Sequence, residues 1–293
     1  MPMCLRLVAL LALLAGPVGA EPAGCDALAR AVQDTFGLRL STAPAPVAEG
    51  WCVVDGVRLE GESAPRITLQ TLRIRGEMAE GSLMALEVEG KGLRVAPSLN
   101  DRKTAPWLRD FLRLQTSDMQ VSIRREDAAD RLLVQDGHLL LSGGAELALS
   151  AEIAGAGVSA ASLLTGRVTG LHLEWKNDGR TLRPVMEAMG AQLEPEAEGT
   201  RAVLAARDLL SGLIDAMPGD SLPQDTAEAL ERFVAALPQG RGRLVLDFAS
   251  EDGIGAARLG LLALAEDPMG PAALARVFAG SGIGASWTPG LTP

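Results

Sequence analysis

The chain has 293 residues, with 37 acidic against 27 basic side chains and a formal charge of -10. That balance repels phosphate backbones and anionic headgroups, and so disfavours nucleic acid and electrostatic membrane binding. Aromatic residues are 3% of the sequence and tyrosine is absent, so stacking of sugars or bases would rest on four scattered tryptophans and five phenylalanines.

Residues 1–20 read as an address. Arg6 precedes an apolar core from Leu5 to Ala15, Gly16-Pro17 breaks it, and Val18-Gly19-Ala20 supplies small residues before Glu21. This is the pattern of a secretory signal peptide cleaved after Ala20. The core, about eleven residues, is short of the roughly 20 needed to span a bilayer. The mature chain is therefore expected in the periplasm without a firm membrane anchor, with its charge at -11 once Arg6 is lost. Cys4 leaves with the leader, and Cys25 and Cys52 remain as two thiols in an oxidising space, where a disulfide is the natural pairing. Two unpaired buried thiols and an acylated Cys25 are the alternatives, although Pro22-Ala23-Gly24 lacks the aliphatic residue that acylation expects.

The mature chain divides into a β-rich half with an N-terminal helix, 21–165, and a strand-plus-helix half, 166–293, packed on the same sheet. Leu28, Ala29, Val32 and Phe36 have helical spacing over 26–40, with Asp26 as N-cap and Gly37 as stop. Period-two alternation predicts strands at 52–60, 66–75, 83–95, 119–124, 131–135, 138–142, 146–154 and 169–176. The longest alternation sets Leu147, Leu149, Ala151 and Ile153 on one face and Glu146, Ala148, Ser150 and Glu152 on the other, as in an antiparallel sheet half in water. Several strands change phase midway, which bulges do, and bulges curve a sheet. Four Asp-Gly pairs, at 55–56, 136–137, 178–179 and 252–253, are expected to supply tight turns. One helix interrupts this region at 105–114, where Trp107, Leu108, Phe111 and Leu112 form an apolar stripe suited to core packing, a membrane surface or a protein partner.

Beyond Lys176 the period changes to 3.6. Helices are expected around 182–189, 203–217 and 230–237, the last behind Ser221, Pro223 and Gln224 as a capping set. A strand at 243–249, a weak helix at 254–265, a helix at 271–278 and a short strand at 283–287 complete the chain. The strand at 171–175 with Asp178-Gly179 is echoed 73 residues later at 244–248 with Asp252-Gly253, a faint repeat.

Chemistry-bearing motifs fail on inspection. Gly219-Asp220-Ser221-Leu222 spells an esterase nucleophile block, but both histidines, His138 and His172, lie upstream of it, and a helix cap is the expected role of Ser221. The histidines fall on polar strand positions and make no metal-ligand spacing. Glu194, Glu196 and Glu198 lack the glycine and ligand spacing of a calcium loop and read as a solvated connection.

The run from Leu132 to Arg183 alternates Leu-x-Leu strands with Gly turns, as in Leu139-Leu140-Leu141-Ser142-Gly143-Gly144, and closes on Leu171-His172-Leu173-Glu174-Trp175-Lys176-Asn177-Asp178-Gly179 before a helix. It resembles the strand ladders of AsmA-like bacterial envelope proteins over about residues 52–190. That resemblance implies phospholipid movement or outer-membrane upkeep along an apolar groove, although this chain is short and lacks their anchor. The expectation is an α+β fold, a curved antiparallel sheet covered by helices mainly from the C-terminal half. Its expected function is non-enzymatic, without metal or cofactor: binding of a lipid or other apolar ligand, or a protein-interaction scaffold for the envelope.

Overall fold

The computed structural model describes residues 21–36, 39–40, 42–60, 66–96, 115–263, 265, 267 and 269–290. The expected leader and the stripe at Trp107, Leu108, Phe111 and Leu112 lie outside these residues.

Strands dominate, and all pairings are antiparallel. The long ones are β4 (Cys52–Glu60), β5 (Arg66–Ala79), β6 (Ser82–Ala96), β7 (Ser117–Glu126), β8 (Arg131–Leu141), β9 (Glu146–Ala154), β10 (Arg167–Asn177), β11 (Gly242–Gly255) and β12 (Ser281–Pro289). They follow one another as a meander in which each strand pairs with its neighbour in sequence. Two-residue strands trim one side: β1 (Glu21–Pro22) pairs with β5, while β2 (Arg39–Leu40) and β3 (Ala45–Pro46) pair with β4. The sheet is open, with β12 at its C-terminal edge.

Among the described residues there are seven α-helices. They are α1 (Cys25–Phe36), α2 (Ala160–Thr165), α3 (Leu182–Leu193), α4 (Thr200–Ala216), α5 (Gln224–Ala236), α6 (Ala256–Ala263) and α7 (Pro271–Phe278). α1 begins one residue before Asp26, which falls in its first turn, where a carboxylate suits the helix dipole. A disulfide joins Cys25, at the start of α1, to Cys52, at the start of β4.

Apolar packing forms two separate clusters. The first gathers Leu28 of α1, which has 0% exposure, with Val54, Val57, Leu69, Leu72, Ile74 and Leu86 of β4–β6 and Leu132 of β8. The second lies among α3, α4 and α5, around Met186, Val203, Ala206 and Leu237. Its helices approach closely because Gly190 has no side chain: a Cβ there would collide with the backbone of Ala202.

None of the four Asp-Gly pairs is a turn between strands, and three lie within one. Asp55-Gly56 lies within β4 and Asp136-Gly137 within β8, where Asp136 takes φ 50°. Val134 pairs with Ala151 and Gly137 with Leu149, so Gln135 and Asp136 of β8 together oppose Ser150 of β9. The strands expected at 131–135 and 138–142 are therefore one bulged strand. Asp252-Gly253 lies within β11, with Gly253 at φ 71° beside the register break between Val168 and Gly170. Only Asp178-Gly179 connects elements, leading from β10 to α3, so the two halves of the faint repeat use their Asp-Gly pairs differently.

Candidate functional site

Strand register sorts the side chains onto two chemically opposite faces. Residues directly opposed in an antiparallel pair share a face. One row runs Ile283, Phe248, Leu171, Ala151, Val134, Ile123 and Leu86 from β12 to β6. A second runs Trp287, Leu244, Trp175, Leu147, Leu139 and Met119. Leu246, Leu173 and Leu149 fill the space between. One face of the sheet is thus apolar across at least five adjacent strands.

The opposite face carries cross-strand ion pairs. Arg73 meets Glu89 at 2.7 Å, Arg75 meets Glu87 at 2.6 Å, Arg124 meets Glu77 at 2.9 Å, and Arg243 meets Glu174. The guanidiniums of Arg73 and Arg75 also lie 4.5 and 4.6 Å from the ring of the buried Trp51. Each exposed pair contributes little to stability. Together they make a solvated face, which leaves the other one to meet apolar matter.

Coverage of the apolar face is uneven. Its β4–β6 end lies in the first cluster beneath Leu28 of α1. At the β12 end Trp287 and Leu244 are buried, and Trp287 touches Phe233 of α5. Between them, Leu147, Leu149, Leu171, Leu173, Leu246 and Phe248 are only partly buried and belong to neither cluster. A hollow of about 490 Å³ opens beside this span, lined by Leu171, Phe248, Ile283, Asp220 and Pro223 among others. On the same face the indole Nε1 of Trp175 is buried with no hydrogen-bond partner among the described residues.

A larger cleft, about 980 Å³, lies between α1, the β5–β6 hairpin and residues 157–162. It mixes Arg30 and Arg125 with Asp34, Glu80 and Asp127, and Arg125 is already paired with Asp127 and, at 3.4 Å, Asp130. Neither of the chain's two histidines lines it.

Elsewhere the residues singled out by sequence have structural partners. Ser221 is 3% exposed and its Oγ donates to the carbonyl of Phe278 at 2.9 Å. It does not cap α5, which follows Pro223 without a side-chain cap. Ser221 instead fastens the segment before α5 to the end of α7, and its own carbonyl accepts the N–H of Ile283. His138 lies 2.7 Å from Glu146 and His172 2.6 Å from Asp247, both on the ion-pair face. The His138 hydrogen bond is the main reason that the Glu146 carboxyl is held below its ordinary value. Glu194 meets Arg201 at 3.2 Å. Among the described residues no three His, Cys, Asp or Glu side chains converge as metal ligands, and no helix is long and apolar enough to cross a membrane.

No known family profile matches this chain, and no curated protein sequence is significantly similar to it.

Proposed function

We propose that the mature chain is a non-enzymatic periplasmic protein that binds a lipid or lipid-like apolar ligand on the uncovered span of its sheet. The observation that carries this reading is the set of leucines on β9–β11 together with Phe248, left part-exposed between two packed clusters. An apolar patch of this kind on a folded protein marks a surface that meets apolar partners. Register breaks such as those at Asp136 and Val168 favour curvature, and a curved sheet with helices beside it would offer such a ligand a groove. The likeness of residues 132–183 to AsmA-like strand ladders points the same way. The leader-like first twenty residues and the Cys25–Cys52 disulfide support the periplasmic part of this reading.

Native mass spectrometry of detergent-free protein, before and after organic extraction, tests this. Extra mass that extraction removes supports the reading. A bare polypeptide mass that stays unchanged after incubation with palmitate and with phospholipid overturns it.

A further inference from the structure

Two short helices stand at the same end of the sheet, because α2 leads into the first residue of β10 and α6 leaves the last residue of β11, and Arg167 pairs with Gly255. They flank a hollow of about 610 Å³ whose lining includes Leu164, Arg167, Asp252 and Arg258. Their large side chains point outward: Leu164 is 73% exposed, Leu259 50%, Leu261 44% and Leu163 37%. Neither helix carries any charge except Arg258. Exposed leucines on an acidic, water-facing protein cost free energy unless something apolar receives them.

We infer that this end of the molecule docks on a lipid bilayer surface, bringing the apolar face of the sheet to the membrane from which it loads; this rests on the lipid-binding reading above. Two observations favour a bilayer over a protein partner. The tip offers aliphatic side chains and few hydrogen-bonding groups, whereas protein interfaces centre on tryptophan, tyrosine and arginine anchors. Arg167 has no carboxylate partner among the described residues, and Arg258 donates to the carbonyls of Gly253 and Ala279, so both keep a positive charge for lipid phosphates, with Asp252 the one carboxylate among the described residues that line the hollow. The apolar face reaches this end through the paired Val168 and Ile254, which come shortly after α2 and shortly before α6 in the chain.

Flotation of the mature protein with vesicles of phosphatidylethanolamine and phosphatidylglycerol tests the docking, while uptake of fluorescent palmitate from free solution tests the groove separately. The wild type is expected to float, and Leu164→Asp with Leu259→Asp to lower partitioning about tenfold for each leucine, with palmitate uptake and melting temperature unchanged. The exposed pair Leu193→Asp with Leu204→Asp, on α3 and α4, is expected to float like the wild type. Failure of the wild type to float, or equal loss in both double variants, overturns the docking. Loss of palmitate uptake by a wild type that still floats overturns the groove reading and leaves the docking standing.

Discussion

Phe233 on α5 meets Trp287 on β12 edge to face, with ring centroids 5.0 Å apart and planes at 61°. Phe233 also packs on the second cluster, so this contact ties the helical unit to the sheet edge. Phe233→Ala is expected to cost about 2 kcal/mol, below the range for fully buried phenylalanines because this ring is only partly buried. Chemical denaturation followed by tryptophan emission measures it, and an unchanged midpoint would show that α5 is held by other contacts.

The Cys25–Cys52 link closes a loop of 27 residues and fastens α1 over the first cluster. Replacing both cysteines by serine should lower stability by about 3.5 kcal/mol through the freed unfolded chain. Thermal unfolding with and without reductant checks it: reductant should move the wild type toward the variant and leave the variant unmoved.

Gly190→Ala places a methyl group against the backbone of Ala202, where neither helix can give way without repacking. The expected loss is on the order of 3 kcal/mol. Gly212→Ala, at a helical position with open space around it, should instead be neutral or stabilising. Similar effects in both variants would argue against the close approach of α3 and α4.

Asp178 accepts the N–H groups of Arg180 and Thr181 at 2.9 and 2.8 Å, ordering the turn before α3. Burial pushes its carboxyl upward, but these donors together outweigh burial and hold it below the ordinary aspartate value. A lowered folded value means that the carboxylate stabilises fully above the unfolded value and loses that contribution as pH falls through the folded one. Wild type and Asp178→Asn should therefore differ in stability by about 1 kcal/mol at neutral pH and converge in acid below the usual carboxylate range. A constant gap across the titration would contradict the assignment.

Leu173 sits in the middle of the uncovered span, between Leu149 and Leu246. Leu173→Glu puts a charge where the ligand's apolar chain would lie, and should abolish palmitate uptake while the protein stays folded by circular dichroism. Trp175→Phe removes a buried N–H that has no partner among the described residues, so stability should hold or rise.

Much of the sheet was readable because its strands alternate cleanly. The strand expected at 146–154 coincides with β9, and that at 52–60 with β4. Where reading failed, one residue's backbone angle outranked the pattern: Asp136 at φ 50° turns a presumed hairpin into a bulge. α2, Ala160–Thr165, escaped notice because six residues of Ala, Ser, Leu and Thr are too short to show a helical period. The role of Ser221 was misplaced because its acceptor, the carbonyl of Phe278, lies 57 residues away. The apolar face was legible as a face. That its middle lies outside both packed clusters was not, since alternation records which way a side chain points and not what lies above it.

The meander has a consequence for how the chain acquires its structure. Most strand pairs join segments adjacent in sequence, so the sheet can grow hairpin by hairpin with small loop-closure cost at each step. Among the long strands the widest gap separates β10 from β11, whose pairing must wait for residues 178–241, including α3, α4 and α5. Closing that long loop costs more chain entropy than closing a hairpin, so β11 and β12 are expected to join the sheet after the strands that precede them.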